Sequence, residues 1–352
     1  MKNFKRILAV VLAALLVFTF AACQNNDDKN PSSESNPAST PVDYNGEKIR
    51  IIANKGPTGM GLVQLMDSDI YDVQLTGDPT EIPALVATGA VDIATIPLNL
   101  AANIYKKTSG GVKMIGINTL GVLYVVANGI NINSLSDLKG QTVYATGQGA
   151  TPEFIINYIL EENGLKDDVK VEYLGEHSEL ATKMISGDVT LSILPEPFVT
   201  LVTSKNSNCK VSVSLTDEWE KINPNAELSM GCVIASTDFI KNNPEGLAKF
   251  ISDNKASVEY VNVNPTQASE KIVSKEIIDE AVFAVDTTLS EKKQAAAKEE
   301  KAVKVISRCN IVFIDGQDMI DIADANFSVY FNADPASIGG EMPSAELYYV
   351  AG

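Results

Sequence analysis

The chain has 352 residues, with 45 acidic and 28 basic side chains and a formal net charge of −17. This surplus of negative charge argues strongly against nucleic acids and anionic lipid surfaces as electrostatic partners, so no nucleic-acid binding is predicted. The globular part, about 300 residues, exceeds the usual size of one hydrophobic core, which favours two lobes.

Residues 1–23 are predicted to be a bacterial lipoprotein signal peptide. Three cations precede an apolar run over residues 7–22, which is too short and wrongly flanked to favour a membrane-spanning helix. The Phe-Ala-Ala before Cys23 resembles a lipobox, so we expect Cys23 to carry lipid and to become the mature N-terminus. Loss of the three cations would change the net charge from −17 to −20. An ordinary cleaved signal with an incidental cysteine is the alternative.

Residues 24–46 are predicted to be a disordered tether. They are rich in Asn, Asp, Ser and Pro and contain almost no aliphatic side chains. Such a composition cannot bury enough apolar surface to fold.

The first lobe is predicted to begin with a strand over residues 49–53. The turn-rich segment over residues 54–61 follows and opens a short helix. Because a helix N-terminus offers free N–H groups and partial positive charge, this loop is a candidate for holding an anionic or hydrogen-bond-accepting ligand group. A tight strand-to-helix turn without a ligand is the alternative.

A repeated unit comes next. Residues 73–97 match residues 171–195 at a fixed offset of 98 positions, which suggests an internal duplication. Each copy has the pattern strand, helix, strand, and a crossover helix makes the two strands parallel. The predicted helix N-caps and the glycines that end the helices are Thr80, Ser178, Gly89 and Gly187. The chain should therefore contain two α/β lobes of similar plan.

Two apolar runs are predicted to carry the chain between the lobes, over residues 121–128 and 228–235. Between them, the glycine-rich loop over residues 146–153 is the second-lobe counterpart of the loop over residues 54–61. Beyond the second run the pattern is helical and is interpreted as scaffold.

Three cysteines remain besides Cys23, and they are widely separated and odd in number. Buried thiols are therefore favoured over a disulfide framework for Cys209, Cys232 and Cys309. A Cys209–Cys232 bridge is left open.

Four segments resemble the solute-binding lipoproteins of ABC importers, in the branch named for nitrate, sulfonate, taurine, bicarbonate and thiamine precursors. They are residues 85–97, residues 135–143, Pro195-Glu-Pro-Phe and residues 335–343. The resemblance implies the type II periplasmic-binding-protein fold: two α/β lobes joined by two crossover strands, with the ligand cleft between them. The expected boundaries are residues 47–126 with 236–352 for lobe 1 and residues 127–235 for lobe 2.

Ligands of open α/β sheets bind beyond the carboxyl ends of the parallel strands. The loops at those positions, with the glycine near the expected hinge, supply the candidate ligand-binding residues. They are Thr58, Gly59, Met60, Asp78, Pro79, Pro97, Asn99, Gly121, Gln148, Gly149, Ala150, Thr151, Glu176, His177 and Glu196.

Several of these candidates have a structural alternative. A single histidine such as His177 is more often a surface group than a base or a ligand. Asp78 and Glu176 are equivalent carboxylates whose simpler role is to neutralise a helix N-terminus. If both faced the cleft, they would disfavour nitrate or a sulfonate and favour a ligand with cationic or donor groups. Ligand identity is expected where the copies diverge: Pro79 against His177, Asp92 against Thr190, and Leu98 against Glu196.

The resemblance implies an extracytoplasmic receptor, lipid-anchored to the bacterial cell membrane, which binds a small polar solute by hinge closure. It would deliver the solute to an ABC permease with its ATPase. A monomer without cofactor, metal or catalytic residue is expected. The alternatives are an enzyme related to the pyrimidine-forming enzymes of thiamine biosynthesis and a ligand-sensing surface lipoprotein. A single histidine and the secretion signal argue against the enzyme.

Overall fold

The computed structural model describes residues 44–350. The predicted signal peptide, Cys23 and nearly all of the predicted tether lie outside this range. Within it, no helix combines the length and the apolar character needed to cross a membrane.

Eleven strands of the described part of the chain form two sheets. The first sheet has the order β11-β4-β10-β3-β1-β2, and the second has the order β7-β6-β8-β5-β9. The strands are β1 (Ile49–Asn54), β2 (Tyr71–Thr76), β3 (Ile93–Pro97), β4 (Val112–Leu120), β5 (Leu123–Asn128), β6 (Thr142–Thr146), β7 (Lys170–Leu174), β8 (Leu191–Pro195), β9 (Cys209–Ser214), β10 (Ser229–Ser236) and β11 (Ile311–Ile314).

Twelve α-helices lie in the same range. They are α1 (Pro57–Met60), α2 (Ile82–Ala87), α3 (Leu98–Lys107), α4 (Thr151–Glu162), α5 (His177–Ser186), α6 (Phe198–Lys205), α7 (Leu215–Ile222), α8 (Thr237–Asn242), α9 (Pro244–Val263), α10 (Pro265–Ser274), α11 (Glu291–Arg308) and α12 (Gly316–Ala333).

The two sheets share one plan. In the first, β1 pairs in parallel with β2 and β3, and β10 is inserted antiparallel between β3 and β4. In the second, β6 pairs in parallel with β7 and β8, and β5 is inserted antiparallel between β8 and β9. The prediction of two α/β lobes of similar plan is therefore confirmed.

The repeated unit is the part of each lobe that contains its crossover helix. β2, α2 and β3 form the first copy, and β7, α5 and β8 form the second. Gly89 and Gly187 end the helices with left-handed φ angles of 68° and 91°, which glycine adopts without steric cost. The predicted N-caps were wrong. Asp78 is the N-cap of a single 3-10 turn (Pro79–Glu81) that leads into α2, whose own N-cap is Glu81, and Glu176 is the N-cap of α5. The Asp78 carboxylate accepts the Thr80 backbone N–H, so Asp78 does the capping that was predicted for the Thr80 side chain.

The chain passes between the sheets at points that differ from the expected lobe boundaries. β5 lies wholly in the second sheet and β10 wholly in the first, so the chain crosses over residues 121–122 and 223–228. Two asparagines form hydrogen bonds with the chain at these crossings. The Asn310 backbone carbonyl accepts the Leu120 N–H (3.0 Å), and Asn326 Nδ2 donates to the Glu227 carbonyl (2.9 Å).

The hydrophobic core is continuous between the lobes. One cluster contains buried side chains of the first lobe, such as Leu98 and Tyr330, and of the second, such as Val143 and Phe154. The rings of Phe154 on α4 and Tyr330 on α12 lie 5.8 Å apart. Burying side chains of this type stabilises the fold by about 1.5–3 kcal/mol each, so α4 and α12 hold one side of the lobe interface together.

Cys209, Cys232 and Cys309 are buried free thiols. The preference for buried thiols is therefore confirmed, and the Cys209–Cys232 bridge is not formed. Burial raises the pKa of the Cys232 thiol well above its usual range, because the thiolate would lose its hydration.

Candidate ligand-binding site

The candidate site is the set of loops that follow the carboxyl ends of the parallel strands. In the first lobe these loops follow β1, β2 and β3, and in the second they follow β6, β7 and β8. Since parallel strands end at one edge of their sheet, each lobe gathers three of these loops at one edge.

The two lobes touch directly at the helices that follow β3 and β6. The Thr151 hydroxyl at the start of α4 donates to Asn99 Oδ1 at the start of α3 (3.1 Å), and both residues are fully buried. Asn99 Nδ2 also donates to the Ser337 carbonyl (3.4 Å). Pro97 and Ala150 precede these helices and are half-buried. The structure thus brings the third loop of lobe 1 and the first loop of lobe 2 together.

In the loop after β1, one candidate residue is partly exposed and two are buried. The half-buried Thr58 offers its carbonyl to Asn118 Nδ2 (3.0 Å), a residue of β4 that the sequence did not single out. Gly59 is packed so closely that an added Cβ would lie 2.7 Å from the Asn54 carbonyl oxygen. Met60 is fully buried in an apolar cluster that includes Ile277. Thr58 is therefore the member of this loop best placed to meet a ligand.

The loop after β2 shows the capping role that was considered for Asp78. Its carboxylate accepts the backbone N–H and the hydroxyl of Thr80 at 2.9 and 2.6 Å. These hydrogen bonds lower the pKa of the exposed Asp78 carboxyl, with the Thr80 hydroxyl as the largest cause. Pro79 beside it is half-buried. Glu176, the equivalent carboxylate of lobe 2, is exposed and makes no side-chain capping hydrogen bond.

His177 lies in a small cluster at the carboxyl edge of the second sheet. Its Nδ1 is hydrogen-bonded to the hydroxyl of Thr146 at the end of β6, and its ring centroid is 5.4 Å from that of Phe198. Burial lowers the pKa of His177 to about 4, because the charged imidazolium would lose its hydration. At neutral pH the ring is therefore uncharged and offers one donor and one acceptor.

The glycine-rich loop after β6 is the most open part of the candidate site. Gln148 and Gly149 are exposed, and Gly149 takes a left-handed φ of 74°. The backbone N–H of Gly149 donates to Glu153 Oε2 (2.6 Å), so a side chain of the same segment already occupies this donor. A ligand would have to displace Glu153 to use it.

Glu196 is fully buried and connects the lobes. Its carboxylate accepts the backbone N–H and hydroxyl of Thr200, both at 3.0 Å, and Arg308 Nη1 at 3.3 Å. Burial raises the pKa of Glu196, and the hydrogen bonds from Thr200 and Arg308 oppose that shift. The Arg308 guanidinium also lies 6.0 Å from the Tyr124 ring centroid. Nothing in the local sequence pointed to Arg308, since it ends a helix with the charge pattern of a solvated face.

Gly121 lies in the first crossing, where space is limited. An added Cβ would lie 2.1 Å from the Thr216 hydroxyl oxygen and 3.1 Å from Leu228 Cδ2. Gly121 therefore packs against α7 and the second crossing segment.

Two of the divergent repeat positions have structural roles. Asp92 precedes β3 and therefore lies at the opposite edge of the sheet, where its carboxylate forms an ion pair with Arg50 at 2.6 Å. Leu98 is fully buried in the core. A surface depression of about 1280 Å³ adjoins Arg50 and Asp92, away from every candidate loop.

The candidate site has few metal-binding features. Within residues 44–350, no group of three or more His, Cys, Asp or Glu side chains is placed to hold a metal ion.

Comparisons with known proteins place the chain in a family. The family model described as NMT1/THI5 like matches residues 70–268, which is more than half of the chain. A comparison with curated protein sequences finds no match.

Solved structures share the fold at low sequence identity. An ABC transporter from Parabacteroides distasonis is 21% identical, with 87% of this chain and 99% of that chain covered at a TM-score of 0.70. The periplasmic aliphatic sulphonate binding protein SsuA from Escherichia coli is 12% identical, with coverages of 82% and 88% and a TM-score of 0.60. The periplasmic nitrate-binding protein NrtA from Synechocystis is 8% identical, with coverages of 83% and 84% and a TM-score of 0.54. The resemblance in the sequence is confirmed, and the chain belongs to the NMT1/THI5-like family, with the fold of ABC-transporter solute-binding proteins.

Proposed function

We propose that this protein is an extracytoplasmic receptor that binds a small polar solute between its lobes and delivers it to an ABC import permease. The observation that carries the proposal is the pair of sheets with one strand order, whose carboxyl-edge loops meet at Asn99 and Thr151. Closure of the lobes around the solute would bury it and change the surface offered to the permease. The receptor acts as a monomer held at the membrane by lipid on Cys23.

The charges at the carboxyl edges favour a solute with hydrogen-bond donors or positive charge. Asp78 keeps its carboxylate ionised through the Thr80 hydrogen bonds that lower its pKa, and Glu176 is exposed at the equivalent position. His177 is uncharged at neutral pH, so it adds no cation to balance them. Nitrate or a sulfonate would meet repulsion from these two carboxylates.

A thermal-shift panel with native mass spectrometry tests the receptor function. The mature protein is mixed separately with amines, pyrimidines, bicarbonate, nitrate and sulfonates. One solute of the donor-bearing or cationic classes should bind reversibly and raise the melting temperature, since a ligand at 100 times its Kd adds about 2.7 kcal/mol of stability. Covalent turnover of a candidate solute without reversible binding would instead support an enzyme.

Two variants separate the parts of this proposal. His177→Phe removes the imidazole hydrogen-bonding groups while keeping an aromatic ring beside Phe198, so it should weaken solute binding. It also leaves the buried Thr146 hydroxyl without its partner, so a loss of about 1–3 kcal/mol in stability is expected with it. Cys23→Ser should release the protein from the membrane fraction without changing solute affinity. Membrane retention of the serine variant would exclude the lipid anchor, whatever the solute result.

A further inference from the structure

The first crossing between the lobes is held by hydrogen bonds from both sides. On the first-lobe side, the Asn310 backbone carbonyl accepts the Leu120 N–H (3.0 Å), and Asn310 Nδ2 donates to the Gly121 carbonyl. On the second-lobe side, the Glu196 backbone N–H donates to the Val122 carbonyl (3.0 Å). Three consecutive residues of the chain are therefore bound to partners that belong to opposite lobes.

Arg308 connects these two partners. It ends α11, two residues before Asn310, and its Nη1 donates to the Glu196 carboxylate (3.3 Å). Since α11 leads directly into β11 of the first sheet, this guanidinium reaches from the first lobe to the second. It also lies 6.0 Å from the ring centroid of Tyr124 on β5, within the range of a cation–π contact. The contacts thus form a closed ring that runs from Asn310 through the crossing to Glu196 and back through Arg308.

The backbone of Asn310 shows that its side chain has a role beyond ending the helix. Its φ of 43° lies in the left-handed region, which is uncommon for residues other than glycine. Ser109 after α3 and Glu276 after α10 hold the same position relative to their helices, with φ angles of 52° and 56°. Those two residues are exposed, whereas Asn310 is half-buried with its amide on the crossing. Glycine would adopt this conformation without steric cost, but it would lack the donor for Gly121.

Rotation of the lobes about the crossing has to move one side of the ring relative to the other. Glu196 is fully buried, and two hydrogen bonds from Thr200 fix its carboxylate within the second lobe. The guanidinium of Arg308 is attached to the first lobe, so its hydrogen bond to Glu196 and its place beside Tyr124 both depend on the orientation of the lobes. Because hydrogen bonds weaken steeply with distance and angle, a rotation that displaces Arg308 loses these contacts.

The contribution of Arg308 to orientation differs from its contribution to stability. Its side chain is 33% exposed, so water can hydrate the guanidinium when the contact with Glu196 is lost. Partly exposed ion pairs add little to the free energy of unfolding. The pair therefore restrains the direction in which α11 meets the second lobe more than it stabilises the fold.

We propose that Asn310 and Arg308 are positioning residues that restrain rotation of the two lobes about the first crossing. The inference rests on the proposed function, in which the receptor closes its lobes around a solute. Both residues act from the first lobe, Asn310 through Gly121 and Arg308 through Glu196. A restrained crossing leaves fewer lobe arrangements to be lost when a solute binds, which lowers the entropic cost of closure.

Double electron–electron resonance measures the distance between the lobes in the solute-free protein. The full mature chain with Cys23→Ser carries one spin label on each lobe, at the exposed positions Lys107→Cys and Asp167→Cys, while its own three thiols are buried. Asn310→Gly should broaden the distance distribution relative to the parent. It is the primary variant, because glycine keeps the left-handed backbone and the carbonyl that binds Leu120 and removes only the amide.

Further variants separate the restraint from other effects of substitution. Arg308→Met should also broaden the distribution, and Arg308→Lys, which keeps the positive charge, should broaden it less. Ser109→Gly is the matched control for the change in a left-handed backbone, and Lys298→Met is the control for loss of an exposed charge on α11. Both controls should keep the parental width. A parental width in Asn310→Gly and Arg308→Met would overturn the proposal.

Hydrogen exchange provides a readout that a purely structural role would not give. Asn310→Gly should speed exchange of the Leu120 and Glu196 amides, which donate within the ring, while the amides of β8 keep their rates. Equal acceleration in both sheets would show a general loss of stability and would refute the restraint. Neither measurement uses a solute, so failure of the thermal-shift panel would refute the receptor function and leave the restraint standing.

Discussion

Substitution of Glu196 tests whether its contribution to the free energy of unfolding comes from the hydrogen bonds of Thr200 or from its charge. Glu196→Leu removes the acceptor for the backbone N–H and the hydroxyl of Thr200, a residue that is only 2% exposed. Each buried donor left without a partner costs about 1–3 kcal/mol, so we expect a loss of about 3 kcal/mol in the free energy of unfolding. Arg308 contributes little to this loss, because its side chain is 33% exposed and can turn to water.

Glu196→Gln should behave differently at the same position. The glutamine carbonyl oxygen can still accept from Thr200, and the charge whose burial raises the pKa of Glu196 is removed. We therefore expect a loss of about 1 kcal/mol, the usual net value of one hydrogen bond.

The pH dependence gives the sign of the charge effect. Because the folded-state pKa of Glu196 is raised above 4.5, the native protein binds more protons than the unfolded chain between these two pKa values. The stability contributed by Glu196 is present below the unfolded-state pKa and is lost as pH rises through the folded-state pKa. The wild type should therefore lose stability relative to Glu196→Gln as pH rises across this interval.

Guanidinium unfolding of the three proteins at several pH values measures both effects. Equal stability losses for the leucine and glutamine variants would refute the assignment of the cost to the Thr200 donors. A wild type that gains stability over Glu196→Gln with rising pH would show that the ion pair with Arg308 outweighs the cost of burying the charge.

Three further predictions concern the lobe contact, the crossing and the thiols. Thr151→Val leaves the buried Asn99 Oδ1 without its donor and should cost about 1–3 kcal/mol in chemical unfolding, whereas Thr151→Ser should cost much less; equal losses would contradict the hydrogen bond. Gly121→Ala should lower the melting temperature, because its Cβ would lie 2.1 Å from the Thr216 hydroxyl oxygen, and Thr216→Ala in the same chain should not restore it fully, since Leu228 Cδ2 is also close at 3.1 Å. A thiol reagent should react with the mature native protein, tested as Cys23→Ser, only after denaturant is added, and rapid labelling would contradict the burial of Cys209, Cys232 and Cys309.

The sequence predicted the architecture because the duplicated unit repeats the physical signals of a βαβ motif. Apolar strands and helix-ending glycines recur in both copies, and the structure places Gly89 and Gly187 in left-handed conformations as expected. In the first copy the Asp78 carboxylate, two residues before Thr80, accepts the N–H that starts the turn, whereas in the second copy the helix begins at His177, before Ser178. It was harder to predict to which sheet β5 and β10 belong, since an apolar run does not show with which strand it will pair.

The candidate site was predictable in its location but not in its side-chain roles. Strand ends indicate which loops share an edge, but they do not show that Met60 is directed into the core. Arg308 reaches Glu196 across 112 positions of sequence, and no local pattern signals a pairing that depends on packing of the lobes. Asp92 was a misleading candidate for ligand identity. It differs from its repeat partner because it forms a structural ion pair at the other end of the strand.

Both crossings are held by residues near the end of the chain, Asn310 and Asn326, and this predicts the order in which the two sheets fold. All strands of the second sheet lie in the continuous stretch from β5 to β9, whereas the first sheet needs β10 and β11 from near the end of the chain. We expect the second sheet to gain amide protection first during refolding, with the first sheet completed only after β11 docks. Pulse-labelling hydrogen exchange would show the reverse order if the early strands of the first sheet can form a stable sheet without β10 and β11.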